Sequence, residues 1–156
     1  MLGTGGGGHP DVGRRSLLDN IQSGQTIGWT DLDRLPDDAW TCTVFGMGSI
    51  APQDPLSEAE CKRLGYLGTQ VEYPMVEAIQ ELSQYTGLDI QAIIPFELGA
   101  GNTILPLDAA NRLDIVLVDA DYAGRAIPEL SQTIAAITGH PLWPAAICDP
   151  WGNRLI

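Results

Sequence analysis

Two aspartates follow the most strand-like run of this chain, Ile115 to Ala120. Five of the six residues in that run are apolar, which predicts a strand that is buried on both faces. Asp119 and Asp121 are two residues apart, so their carboxylates point to the same side of an extended strand end. Because ligands in an open α/β sheet bind beyond the carboxyl ends of strands, the pair marks a candidate ligand site.

The residues after this pair extend the candidate site. Gly124 permits a tight turn, and Arg125 and Glu129 follow at helical spacing. One carboxylate of such a cluster could act as a general base whose pKa is raised by its like-charged neighbours, or several could hold a divalent cation. A solvated loop with a helix N-cap accounts for the same residues equally well at this point.

The chain opens with a second polar cluster that is rich in glycine: Thr4, Gly5, Gly6, Gly7 and Gly8. An apolar stripe after it predicts a helix over Asp11 to Ser23, through Val12, Leu17, Leu18 and Ile21. A glycine loop that opens into a helix presents free N–H groups to an anionic or carbonyl-bearing ligand. It is not a nucleotide-binding P-loop, because no Gly-Lys-Ser or Gly-Lys-Thr follows. A disordered glycine tail is the alternative.

A third polar group follows a predicted strand over Asp89 to Phe96. It consists of Glu97 and Asn102 together with intervening glycines. Strands that alternate with helices form a parallel sheet, and the carboxyl ends of neighbouring parallel strands meet at one edge. Glu97 is therefore expected near Asp119.

The remaining elements are predicted from periodicity, caps and turn residues. Further strands are predicted over Gln25 to Trp29, Trp40 to Ile50 and Leu142 to Cys148, and further helices over Ser57 to Arg63, Val71 to Thr86, Thr103 to Leu113 and Pro128 to Gly139. The sequence thus predicts a three-layer α/β domain with a mostly parallel sheet, containing the strands near 41–46, 90–95 and 114–119, and helices on both faces.

Composition narrows the class of protein. The 156 residues, 44% of them hydrophobic, fit a single domain over residues 1–156. A net charge of -12 with scattered basic residues makes nucleic acid and anionic membranes poor partners. The lack of a membrane-length apolar run or a signal-peptide pattern favours a cytoplasmic protein. Cys42 and Cys148 lie in apolar runs and are expected to be buried and reduced, and Cys61 has no C-x-x-C partner.

Three blocks of the sequence carry a resemblance to a known family. The runs LGTGGGG-x-P, PFELGAGNTILPLDAANRL and VDADYAGRAIPEL resemble the N-terminal domain of the S-methyl thiohydantoin desulfurase family over nearly the whole chain. Three departures bear on substrate contacts: His9 stands where Asp or Asn is common, the loop after Gly46 reads GMGSIAP rather than GMMGAP, and Ser131 to Thr138 is less like the family than its neighbours. Family members usually continue into a C-terminal domain, which we expect to be absent here.

The resemblance implies hydrolysis of a small cyclic imide, hydantoin or thiohydantoin ring, with a small cyclic amide or thioamide as ligand. The catalytic residues would be Asp119, Asp121, Glu97, Arg125 and Glu129, and the ligand-binding residues Thr4, Gly5, Gly6, Gly7, Gly8, Asn102 and Gly124. Arg125 could orient a substrate carboxylate. The cofactor is open: a divalent metal on Asp119 and Asp121 would be magnesium, or zinc if His9 joined.

A second hypothesis concerns assembly. A chain without its usual partner domain is expected to expose apolar residues, which self-association would cover. The candidates are Leu2, Ile147, Trp151, Leu155 and Ile156. The alternative function is accordingly a homo-oligomeric or filament-forming structural protein that keeps the fold without the reaction.

Overall fold

The framework of the protein is a three-stranded parallel sheet. A computed structural model describes residues 8–48, 56–65, 68 and 71–156. The strands lie in the order β1 (Trp40–Val44), β2 (Ile90–Pro95) and β3 (Val116–Leu117). Ile93 in β2 is in register with Cys42 on one side and Leu117 on the other. The predicted α/β class and mostly parallel sheet are confirmed.

The helices of the described ranges are α1 (Pro10–Gln22), α2 (Glu58–Leu64), α3 (Pro74–Thr86), α4 (Ile104–Leu113) and α5 (Ile134–Ile137). The predicted capping box of α2 is present, and α3 ends as predicted at Gly87, where φ is +70°. α3 starts three residues later than predicted because Pro74 supplies its first turn. No helix within these ranges is both long and apolar enough to cross a membrane.

The helices are distributed unevenly over the two faces of the sheet. The strand order advances in one direction, so two right-handed crossovers bring α3 and α4 to the same face. There they pack on each other and on a core of Cys42, Val44, Ile79, Ile90, Ile93, Leu107, Ala109, Ala110 and Leu117. On the opposite face lies the 3₁₀ helix Leu32–Arg34, whose connector forms a shallow cavity with Thr41 and Ile94.

The edge of the sheet beyond β3 contains less strand structure than the sequence predicts. The predicted strand Gln25–Trp29 is wrong, because only the next residue, Thr30, makes a parallel bridge, to Val118. The Thr30 N–H donates to the Leu117 carbonyl (2.7 Å). With so little chain beside it, β3 is not buried on both faces: Val116 remains 37% exposed.

α1 buries a different face from the predicted apolar stripe. Val12, Leu18 and Ile21 are exposed, whereas Gly13 and Asn20 are buried. Asn20 Nδ2 donates to Asp108 Oδ1 in α4 (2.7 Å). Asn20 Oδ1 accepts from the side-chain amide of Asn111, also in α4. Of the predicted stripe, only Leu17 packs against the core, half-buried. Hydrogen bonding to α4 and close backbone approach at a glycine therefore orient α1 together with this one apolar contact.

The predicted helix Pro128–Gly139 is interrupted at Thr133. A 3₁₀ turn, Leu130–Gln132, precedes that residue and α5 follows it. Thr133 is extended (φ −73°, ψ 154°), and its Oγ1 accepts from Ala136 N–H as an N-cap. The Ile134 N–H donates to the Tyr122 carbonyl (2.8 Å), a tertiary contact that a continuous helix could not make.

The last 10 residues form a hairpin that is separate from the central sheet. The predicted strand Leu142–Cys148 is reduced to β4 (Ile147–Cys148), which pairs antiparallel with β5 (Arg154–Leu155). Asp149 closes the predicted turn by accepting from backbone amides at Trp151 and Asn153 (2.9 Å each). Arg154 ties the hairpin to α3 through Glu77 (2.6 Å) and Glu81 (3.3 Å).

The three cysteines are free thiols in different surroundings. Cys42 is buried in the core, as predicted, and burial raises the pKa of its thiol to about 12. Cys148 is only half-buried, because it lies in the terminal hairpin rather than under the helices. Cys61 is half-buried on α2.

We predict that Cys42 resists thiol reagents in the native protein while Cys61 reacts. At pH 8 a pKa of about 12 instead of 9.0 lowers the thiolate fraction roughly a thousandfold, and the thiolate is the reactive species. Peptide mapping after brief labelling with a bulky maleimide measures both sites, and labelling in denaturant gives the fully accessible control. Equal native labelling rates at Cys42 and Cys61 would contradict the burial.

Candidate functional site

The candidate site is centred on a buried carboxylate two residues beyond β2. Glu97 is 4% exposed, the lowest exposure of any acidic residue in the described ranges. Its Oε1 accepts from the side-chain amide of Asn102 (2.9 Å), and its Oε2 accepts from the backbone N–H of Ile127 (2.8 Å). The carboxylate thus joins the end of β2 to the loop that follows β3.

Asn102 extends this connection to β1. It is also buried, and its Oδ1 accepts from the backbone N–H of Gly46, two residues beyond β1 (3.1 Å). The group formed by the side chains of Glu97 and Asn102 with the amides of Gly46 and Ile127 is here named the latch. It holds together the chain segments that follow all three strands of the parallel sheet.

The start of α4 positions Asn102. The Gly99 N–H donates to Thr103 Oγ1 (3.0 Å), and the Thr103 N–H donates back to the Gly99 carbonyl (3.2 Å). The Gly101 carbonyl accepts from the first two amides of the helix. Asn102 therefore lies one residue before the N-cap, inside a tightly hydrogen-bonded turn, which restricts its side chain.

The end of the glycine-rich segment lies against this turn. A Cβ at Gly8, where φ is +94°, would lie 2.7 Å from Gly101 Cα, and one at Gly13 would lie 2.2 Å from the Ala100 carbonyl oxygen. Only glycine allows so close a backbone approach. Gly8 therefore lies against Gly101, the residue before Asn102. Thr4, Gly5, Gly6 and Gly7 lie outside the described residues.

The start of α1 is capped by its own chain. His9 Nδ1 accepts from Asp11 N–H (3.2 Å), and the His9 carbonyl accepts from Val12 and Gly13 N–H. The expectation that this helix end presents free N–H groups is wrong for these three amides. The N-cap hydrogen bond also explains the orientation of the His9 side chain without a bound metal.

The two aspartates after β3 have different environments. Asp121 Oδ1 accepts from Ala123 N–H (2.8 Å) and from Gly124 N–H, which builds the predicted turn, with Gly124 at φ +67°. Asp119 is exposed, and none of the described residues hydrogen-bonds its carboxylate. Asp121 thus fits the solvated-loop alternative, although it closes a turn and caps no helix, whereas Asp119 keeps an accessible carboxylate.

Arg125 and Glu129 lie in irregular chain, so the helical spacing predicted for them is wrong. Both are exposed: Arg125 Nε donates to the Ala126 carbonyl (3.2 Å), and Glu129 Oε2 accepts from the Ser131 hydroxyl (3.1 Å). The latch fixes Ile127 between them, which prevents a helix from continuing through this segment.

No three His, Cys, Asp or Glu side chains in the described ranges come close enough together to hold a metal ion. Both oxygens of Glu97 accept hydrogen bonds, and one oxygen of Asp121 serves the turn. A cation on Asp119 and Asp121 would therefore need ligands from outside these groups.

Sequence reasoning missed one member of the latch, Ile127, and indicated Gly46 only as the start of a loop that bears on substrate contacts. Ile127 contributes a backbone N–H, which any residue except proline carries, so no residue type points to it. It also missed the stack of Phe45 on Phe96, whose ring centroids are 4.1 Å apart, beside the latch. Two aromatic residues at the ends of adjacent predicted parallel strands were the available indication.

Comparison with known proteins adds three findings, of which the first two concern sequence. A protein-family model described as S-Me-THD-like, N-terminal domain, matches residues 1–156. No curated protein matches the chain.

Among solved structures, the chain is similar to the X-ray crystal structure of a protein from Chromobacterium violaceum, a target of the Northeast Structural Genomics Consortium. The TM-score is 0.69 at 26% sequence identity, and the match covers 98% of this chain. The chain spans 39% of the length of that protein.

We predict that Gly13→Ala destabilises the protein by about 1–3 kcal/mol, although alanine favours a helix. The new Cβ would overlap the Ala100 carbonyl oxygen, so α1 would have to move away from the turn before α4. Urea unfolding followed by circular dichroism measures the change. Gly28→Ala is the control, since its Cβ would meet open space and its φ is not positive; equal stabilities of the two variants would contradict the close contact.

Proposed function

This chain belongs to the family of S-Me-THD-like N-terminal domains, and on that premise we propose that it is a hydrolase-like domain for a small cyclic imide or thiohydantoin ring. The observation that supports the proposal is the latch. It gathers the segments after β1, β2 and β3 at one edge of the sheet, where α/β proteins bind ligands. The glycine-rich segment ends beside the same turn.

The proposed reaction is attack by water on a ring carbon. A base takes one proton of the water as its oxygen bonds to that carbon. N–H donors stabilise the negative charge that develops, which lies on the carbonyl oxygen of a hydantoin or imide and on a ring nitrogen of an S-methyl thiohydantoin. In a hydantoin or imide the ring C–N bond then breaks and the nitrogen takes a proton. In an S-methyl thiohydantoin the C–S bond breaks, the sulfur takes the proton from the base and leaves as methanethiol, and the proton left on the water oxygen moves to the ring nitrogen.

Three groups are proposed to supply what these steps need. Asp119 is an exposed carboxylate at the end of β3 and is the proposed general base. The glycine-rich segment is the proposed source of oxyanion donors, through backbone N–H groups of the kind that line anion sites. Arg125, exposed on the loop after β3, is the proposed partner for a substrate carboxylate.

We predict that the protein hydrolyses a hydantoin or S-methyl thiohydantoin and that Asp119→Asn lowers kcat by about 10²–10⁴, the usual contribution of a general base. Ring opening is followed by mass spectrometry and methanethiol release with a thiol reagent. Asp38→Asn, an exposed aspartate before β1, is the matched control and keeps its rate. An Asp119→Asn variant with the rate of wild type would exclude Asp119 as the base.

The terminal hairpin favours self-association as a second function. One cross-strand pair of the hairpin, Cys148 and Arg154, lies on the side that Arg154 joins to α3 through ion pairs. The alternate pair, Ile147 and Leu155, is 49% and 65% exposed, and Trp151 in the turn is 53% exposed. We propose that this hairpin face contacts a second copy of the chain, because contiguous exposed apolar residues mark interaction sites.

We predict that the protein is larger than a monomer at micromolar concentration, and more so in moderate salt, which screens the net charge of -12. Leu155→Glu should return it to monomers by placing a charge in the contact. Ile137→Glu, which changes an apolar residue that is 70% exposed on α5, is the control and should leave the assembly intact. Light scattering that finds wild type at 16.7 kDa throughout would contradict the contact.

A further inference from the structure

We infer that Glu97 is a positioning residue and not the general base, and that the Glu97–Asn102 pair sets the relative position of the loops after β1 and β3. The catalytic half of this inference rests on the proposed function. The structural half, a latch of fixed donor and acceptor order, rests only on the hydrogen bonds among the described residues.

The order of donors and acceptors in the latch is set from both ends. Gly46 N–H can only donate, so the side chain of Asn102 must turn its carbonyl oxygen to Gly46 and its NH₂ group to Glu97. Ile127 N–H can likewise only donate, to the other oxygen of Glu97. Both carboxylate oxygens are therefore acceptors at once, the pattern of an ionised carboxylate.

A carboxylate that is buried and hydrogen-bonded in this way is poorly suited to take a proton from water. A general base needs a lone pair within hydrogen-bond reach of a water molecule. Glu97 is 4% exposed, and each of its oxygens already accepts from the protein, so a water would have to enter the buried latch to reach a remaining lone pair. Asp119 meets the requirement without such a change, because its carboxylate is exposed.

The latch acts on the loops that carry the candidate substrate contacts. Ile127 ends the segment that contains the Asp121 turn and Arg125, and Gly46 lies just beyond β1. A shift of about 1 Å in such a segment can cost a hundredfold in rate, which is how a residue remote from the reacting atoms affects kcat.

Because the order of donors and acceptors is fixed, the amide and the carboxylate can be exchanged between positions 97 and 102. This exchange distinguishes a positioning role of Glu97 from a role as general base. Glu97→Gln turns an amide NH₂ group toward either Asn102 NH₂ or Ile127 N–H, so donor faces donor. Asn102→Asp places two carboxylates against each other. In the double variant, residue 97 as an amide donates to residue 102 and accepts from Ile127, while residue 102 as a carboxylate accepts from both sides. Every bond of the latch is then restored with the same net charge.

The test measures amide hydrogen exchange at Gly46 and Ile127 together with the rate of ring hydrolysis. Each single change should speed exchange at both amides by on the order of tenfold to a hundredfold, the range for a broken buried hydrogen bond, and should lower kcat with little change in KM. The double variant should return exchange and kcat to near wild type. Glu58→Gln, the same change at an exposed residue of α2, is the control.

Three results would overturn the inference. If the double variant regains slow exchange without activity, the carboxylate at position 97 takes part in the chemistry. If the double variant regains neither, the complementary order of the latch is wrong. If the single variants leave exchange at Gly46 and Ile127 unchanged, the latch does not hold the loops.

Two further measurements keep the outcomes separate. If a single variant fails to fold, scalar coupling across the hydrogen bond from Ile127 N–H to the Glu97 carboxylate in the unmutated protein tests the latch directly, and no coupling would overturn it. If the unmutated protein hydrolyses none of the rings, the proposed function fails with the catalytic half of the inference, while hydrogen exchange still decides the structural half.

Discussion

The structure depends on the hydrogen bonding of one buried carboxylate. Moving an ionised group out of water costs several kcal/mol unless donors replace the water, so Glu97 can be 4% exposed only where Asn102 and Ile127 supply those donors. Asn102 has the same requirement for its own oxygen, which Gly46 meets. Burial of one charge thus fixes three loops, and each loop follows a different strand.

Sheet topology explains why these loops are within reach of one another. Strands that advance in one direction with right-handed crossovers place their carboxyl ends along one edge and their helices on one face. The connection from Thr30 to β1 runs back across the sheet, and its 3₁₀ helix Leu32–Arg34 lies on the other face. Helices α3 and α4 therefore share one face, and the loops that follow the three strands meet at one edge.

Local patterns predicted the elements whose causes are local. β2, the capping box of α2 and the end of α3 at Gly87 follow from residues within a few positions. The failures have distant causes: Thr133 interrupts a helix because Ile134 bonds to Tyr122, and α1 buries Gly13 because it meets Ala100. The site shows the same division. The order of the predicted elements indicated that Glu97 and Asn102 lie at the carboxyl edge of the sheet, but it gave no indication of Ile127.

Three carboxylates at this edge show why residue type alone does not assign chemistry. Asp121 builds a turn, Glu97 is enclosed by donors, and Asp119 is exposed. The sequence treats them alike, as acidic residues after strands, and their difference comes from which backbone amides the fold brings to each. A carboxylate whose oxygens accept from the protein stabilises structure, whereas one that faces solvent can accept a proton. The roles divide because the donors to Asp121 come from its own turn, the donors to Glu97 come from distant segments, and Asp119 faces solvent.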